Sequence, residues 1–270
     1  MAGPEPSSAA GRAESRPRTG LRLVSAELGH GKAPLIEPTK HGYLYMAASV
    51  QPGLLPLALP SAERDTLIAK LKALAQRLED SPAVLRAITF RAIVLRPTGR
   101  FSAYLKDRAA SIHPASYDVV VLIETTSPAT AREVEAAPLY AKMLESMRTA
   151  TDVVVTLTAR NARRIGDVDT TRPGLFLFNH FVADDTAVML QLWDYLAGWY
   201  VVETGLDNSV ALVPADGRTS DYAIVNWARW DVSPLRHFWQ QLSKESFWRF
   251  VTANLDANRA ASMPIYHRLA

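Results

Sequence analysis

The 270-residue sequence contains no cysteine. This excludes disulfides, thiolate-bound metal sites and a cysteine nucleophile, and it fits a reducing, cytoplasmic setting. No apolar run reaches the roughly 18 residues that a membrane-crossing helix needs. Charge of one sign is also scarce, with 30 Lys and Arg against 27 Asp and Glu. Residues 1–40 hold six of those cations against four anions, so the body of the chain is nearly neutral. That argues against a nucleic-acid footprint, and no helix-turn-helix, RRM-like or zinc-finger spacing offsets it. Among the six histidines no HxH or HExxH spacing occurs, and His30, His41 and His113 stand alone, so no metal site is expected. The LGHGK around His30 lacks the spacing of a phosphate loop. The opening MAGPEPSSAAGRAESRPRTG has no apolar h-region and reads as a disordered tail rather than a secretory signal. Residues 1–40 are therefore assigned to tail and linker. Arg12, Arg16 and Arg18 cluster within them, and a partner- or membrane-binding arm is the lesser reading.

What the chain does have is the same pattern written twice. From Gly42, GYLYMAASV leads to a helical stretch with Leu67, Leu71, Leu74 and Leu78 at helical spacing. Two strand-like runs follow, AITFRAIVL and YDVVVLIET, then a helix through Val134, Leu139, Met143 and Met147 and a strand at 153–158. From Gly174, at an offset of 132, GLFLFNHFV opens the same order and a short strand at 265–267 closes it. Ser61 and Asp185 are the expected N-caps of the two first helices. The order βαββαβ is the ferredoxin-like split βαβ motif. The expected fold is α+β: two tandem ferredoxin-like repeats, 41–170 and 171–270, forming a dimeric α/β-barrel-like unit within one chain. Each sheet has helices on one face, so pairing the bare faces buries them and can enclose a cavity. The connection RRIGDVDTTRPG is expected as an exposed strap. All six tryptophans lie from Trp193 to Trp248, inside the second repeat, which suggests one working half and one supporting half.

The segment YAIVNWARWDVSPLRHFW (222–239) resembles the central strand of the antibiotic biosynthesis monooxygenase family, through V-N-aromatic-A-Arg-W followed by Asp and Ser. The strong part of the match covers about a dozen residues. The resemblance implies a dimeric α+β barrel and, for some members, oxidation of phenolic polycycles by O2 without a cofactor. It also carries an alternative, since heme-degrading monooxygenases are relatives that use a strand Asn and a Trp beside the porphyrin. Asn226 and Trp230 fall on the family's Asn and Trp positions.

These two residues are four apart on a strand and so share a face, with Ala228 leaving room between them. The first repeat has Val121 and Thr125 at the aligned positions, hence one expected pocket. A cofactor-free oxygenase must hold an electron-rich substrate as its phenolate, with neutral donors at the oxyanion and water excluded. An Asn amide and an indole N–H are such donors, which makes Asn226 and Trp230 the catalytic candidates. Asn179 and His180 form a polar pair inside an otherwise apolar strand, which is costly unless they find partners. Asn179 is read as substrate-binding and His180 as a general base. Trp227, of opposite parity to Asn226, is expected under the helices, and with Tyr222 and His267 it completes the candidate substrate contacts. Of Tyr266 and His267, one can line the cavity. His237 lies near where heme-degrading relatives place an axial His. The partners so implied are a hydrophobic aromatic small molecule and O2, with no nucleic acid and no membrane, and homodimerisation is left open. A heme-binding protein or a non-enzymatic module that sequesters an apolar molecule are the competing readings, since fold alone does not settle function.

Overall fold

Strand β1 (Gly42–Ala48) is buried along its whole length, because one of its faces meets helices and the other meets the interior of a barrel. The computed structural model describes residues 20–51, 57–95, 102–108, 112 and 114–270; positions 1–19 of the expected tail and His113 lie outside them. After β1 come α1 (Ala62–Glu79), β2 (Val84–Val94), a short α2 (Ala103–Asp107), β3 (Val119–Thr125), α3 (Pro128–Glu135), α4 (Pro138–Ala150) and β4 (Val154–Gly166). The order then recurs in β5 (Leu175–Ala183), α5 (Thr186–Thr204), β6 (Ser209–Pro214), β7 (Ile224–Trp230) and α6 (Pro234–Leu242). A π-helical turn (Phe247–Thr252), α7 (Ala253–Ala257) and β8 (Ala260–Leu269) complete it. The expected caps are in place: Ser61 Oγ accepts from the Arg64 amide at 3.2 Å, and Asp185 accepts from Ala187 and Val188.

The strands close into one barrel in the order β1-β3-β2-β8-β5-β7-β6-β4, with antiparallel ladders. Closure depends on two strands that run longer than their sequence pattern indicates. β4 pairs with β1 through 154–160 and with β6 through 159–166. β8 pairs with β5 through 260–267 and with β2 through 266–269. Each half thus satisfies the other's open edge, whose N–H and C=O groups would otherwise lack partners. Arg163–Gly166 consequently belong to β4, and the expected strap is shortened to the residues after Gly166.

Alternation along the strands sorts side chains into three layers. Between the first-half strands and their helices lie Leu44, Met46, Val121 and Ile123 with Leu71, Met143 and Met147. Inside the barrel are Tyr43, Tyr45, Phe90, Phe176, Phe178, Leu212 and Trp227. Phe178 stacks on Trp227 with ring centroids 6.4 Å apart, and Phe90 meets Phe176 and Phe178 edge-on at 5.2 and 5.1 Å. These rings fill the space between the two sheets, where a cavity was expected. Trp227 is therefore a barrel residue, and the reading that put it beneath the helices is corrected. Between the second-half strands and their helices lie Leu175, Leu177, Ala228 and Trp230 with Leu192, Trp193 and Leu196.

The described part of the expected N-terminal linker is strapped across the second half. The Arg22 and Val24 amides donate to Asn258 and Asn254, whose side-chain amides donate back to the same residues' carbonyls. Further on, the Ala33 amide donates to the Asp194 carbonyl and Ile36 bridges to Arg164. Gly198 lets this strap lie on α5, since a Cβ there would stand 2.1 Å from the Gly31 carbonyl oxygen. No described helix is long and apolar enough to cross a membrane.

Candidate functional site

The ladders show what each half puts at the same place. Gly42 opposes Thr125 as Leu175 opposes Trp230, so Met46 opposite Val121 corresponds to Asn179 opposite Asn226. Matched through β3 and β7, Leu175 answers to Gly42, an offset of 133 rather than 132. That single-residue slip moves every side chain of the strand to the other face. Asn179 therefore replaces Met46 and His180 replaces Ala47. In the first half Met46 and Val121 close an apolar layer. In the second, two carboxamides face each other under the helices, beside a cavity.

The cavity, about 210 Å3, lies between β5, β8 and the helices, with Asn179, Tyr200, Phe238, Gln241, Trp248 and Tyr266 on its walls. The π-helical turn supplies Phe247, Trp248, Val251 and Thr252 to the lining, a common use of such wide turns. A recess of about 30 Å3, sharing Asn179, Tyr200 and Ser262 with the cavity, reaches Asn226, Ser209, Trp193 and Trp230.

Asn226 has its orientation fixed from behind. Its Oδ1 accepts from Trp193 Nε1 at 3.1 Å and from Ser209 Oγ at 2.7 Å. An indole N–H can only donate, so the oxygen must be the end that meets it. The Asn226 NH2 group is left over as a donor at the recess. Asn179 is only 8% exposed, and its Oδ1 is buried with no partner among the described residues. Such an atom costs about 1–3 kcal/mol of desolvation unless something satisfies it. Trp230 also borders the recess, but its N–H donates to Thr204 Oγ1 at 3.1 Å. Its ring is a wall, and its N–H is already taken.

Behind the opposite wall, His237 of α6 is buried with its Nε2 3.1 Å from the Tyr266 hydroxyl and in contact with Gln241 Nε2. Tyr200 donates to Gln241 Oε1 at 3.3 Å. Burial lowers the His237 pKa to about 3 and raises those of Tyr200 and Tyr266, so the wall presents neutral phenols. Strand parity selects Tyr266 over His267 for the cavity. Tyr200 and Gln241 were not singled out in the sequence, though Tyr200 follows Trp193 and Leu196 at helical spacing and Gln241 stands one turn after His237.

His180, Tyr222 and His267 join Trp227 inside the barrel, away from the two carboxamides. His180 Nδ1 donates to the Met263 carbonyl at 3.2 Å, which leaves Nε2 to accept from Tyr45 at 2.7 Å. Tyr222 bonds Tyr117 through their hydroxyls, and His267 lies against the Tyr117 and Ile265 carbonyls. A fully buried imidazole in this network has no route to a substrate in the cavity, so the general-base reading of His180 is set aside. Desolvation lowers the pKa of His180 to about 4 and that of His267 to about 3. Unfolded histidines titrate near 6.5, so below that pH the unfolded chain binds protons that the folded chain refuses. Stability is thus full above pH 6.5 and falls progressively as pH drops toward 4. We expect the urea midpoint to decrease across this window and His180→Gln to flatten the decrease; an unchanged slope would remove the buried imidazole as its cause.

Heme requires an axial ligand facing the cavity and cations for its propionates. His237 has its Nε2 engaged by Tyr266 and Gln241 and does not line the cavity, and among the described residues neither lining contains Lys or Arg. The described residues do not fit a porphyrin. Among the described residues, no group of three or more His, Asp or Glu is arranged to hold a metal ion.

No protein-family model matches the sequence, and no curated protein matches it. Solved structures do. An anthrone oxidase-like protein superposes with a TM-score of 0.59 at 11% identity, over 88% of this chain and 94% of its own. A protein from Fusobacterium nucleatum, classed provisionally as a monooxygenase, gives 0.53 at 4% identity over 87% and 94%. A heme-bound variant of Rhodococcus jostii DypB covers 88% and 95% at 8% identity, but its TM-score of 0.42 carries no inference. At these identities the likeness establishes the fold: a dimeric α+β barrel made by one chain.

Proposed function

We propose that this chain is a cofactor-independent monooxygenase of the antibiotic-biosynthesis type, which oxidises an aromatic, phenolic or anthrone-like substrate with O2 to a quinone. The observation that carries this reading is the Asn226 amide, turned toward the recess by Trp193 and Ser209 and facing Asn179, whose Oδ1 has no partner among the described residues, where the first half has Val121 and Met46. A fixed N–H donor in a partly enclosed, mainly apolar space stabilises the substrate oxyanion without reorganising. The anion passes one electron to O2, the two radicals combine at the activated ring carbon, and loss of water from the peroxide leaves the carbonyl. For an anthrone, the CH2 group gives up two hydrogens, one oxygen atom enters the product and the other leaves as water. Asp256, the carboxylate among the described lining residues, is exposed on its outer side; partial desolvation raises its pKa, and it is the nominated proton acceptor. Residues 171–270 do this work on the support of 41–170. The fold shared with an anthrone oxidase-like protein suggests the substrate class.

The test is O2 uptake with an anthrone or a dihydroxynaphthalene, after dialysis against a chelator. Quinone formation equimolar with O2 consumed is expected; saturable binding without O2 uptake would leave a sequestering module instead. In the same assay Trp193→Phe, which keeps the ring but removes the N–H that orients Asn226, should lower kcat about tenfold, roughly 1.4 kcal/mol, and change KM less. An unchanged kcat would show that the amide needs no such hold.

A further inference from the structure

Helix α6 carries an apolar stripe that the fold leaves uncovered. Leu235, Trp239 and Leu242, spaced by four and three residues, share one face and are 80%, 70% and 38% exposed. Trp248, 42% exposed, extends the stripe by donating its indole N–H to the Leu242 carbonyl at 3.1 Å. The stripe borders the cavity, because Trp248 and the adjacent Phe238 also line it. Of the three cations from Pro234 to Thr252, Lys244 pairs with Glu203 and Arg249 with Glu245, which leaves the exposed Arg236 as the net positive charge beside the stripe.

Against the expectation of no membrane partner drawn from the sequence, we infer that this stripe docks the protein on an anionic lipid surface, with the cavity mouth at the membrane interface. Three features of the chain choose this occupant. Met1 is the one large apolar side chain in residues 1–19, so that segment has little to lay over the stripe. The four side chains expose on the order of 400 Å2, about half of the 800 Å2 that each partner of a stable protein complex buries. A second copy is thus a poor cover. Two tryptophans beside leucines, with the Arg236 guanidinium among them, instead suit the boundary between headgroups and acyl chains. An apolar substrate dissolved in the bilayer would then enter the cavity without crossing water. The docking itself does not rest on the oxygenase reading, and its test uses no activity.

The full chain is sedimented with sucrose-loaded vesicles of phosphatidylcholine alone or with about 30% phosphatidylglycerol, at low and high salt. Binding to the anionic vesicles, weakened by salt and reduced roughly tenfold or more in a Leu235→Ser/Trp239→Ser double variant, is expected. Neither residue lines the cavity, and circular dichroism with thermal melting verifies that the variant is folded. Absence of binding to both vesicle types overturns the inference, as does equal binding by the double variant. A dimer in sedimentation equilibrium that disappears in the double variant also overturns it, assigning the stripe to a second copy.

Discussion

Asn226→Ala is expected to lower kcat toward an anthrone or quinol by about 100- to 1,000-fold, the order associated with losing one oxyanion donor. KM should move much less, because the donor acts mainly on charge that develops during reaction. The substitution also strips Trp193 and Ser209 of their acceptor, so the urea midpoint is measured alongside to separate lost chemistry from lost stability. The internal control is Val121→Ala, the corresponding change in the first half. Val121 is fully buried against the first-half helices, so its truncation should cost about 1–3 kcal/mol of stability and leave turnover intact. Equal losses of turnover from both variants would mean that the halves share the site. No loss from Asn226→Ala would remove the main support for an oxygenase.

Trp227→Ala should destabilise the fold by about 3–5 kcal/mol, the range for deleting a large buried aromatic. Its ring is stacked on Phe178, meets Phe90 edge-on and lies under the Arg86 guanidinium at 5.1 Å, so truncation leaves a void among groups that cannot easily collapse. Because the barrel interior is a packed layer separate from the cavity, the protein that remains folded should keep its KM. A raised KM with an unchanged urea midpoint would place Trp227 on the substrate after all. Denaturant unfolding and steady-state kinetics on one preparation distinguish the outcomes.

Local pattern alone determined the order of elements in this chain. Strand and helix periods, the caps at Ser61 and Asp185 and the repeated βαββαβ order gave the α+β class and the facing sheets. The shared face of Asn226 and Trp230 was legible because strand parity is a property of the backbone. Parity does not say which face of a sheet looks outward. That was decided by the pairing of whole strands: once the two sheets joined through the distal parts of β4 and β8, the aromatic faces carrying Phe176, Phe178 and Trp227 closed on one another. Asn226 and Trp230 were thereby turned toward the helices. The distal part of β4 is not legible in the sequence, because it runs through Arg160, Asn161 and Arg163, which show no apolar alternation and become strand only when the other half offers an edge. The same limit explains the one-residue slip at Asn179 and His180. A match of GYLYM to GLFLF scores hydrophobicity at each position, and both faces of these strands are apolar, so nothing in the string marks inside from outside. Tertiary structure marks it, by seating Trp193 and Ser209 behind Asn226 and leaving a cavity in front of it.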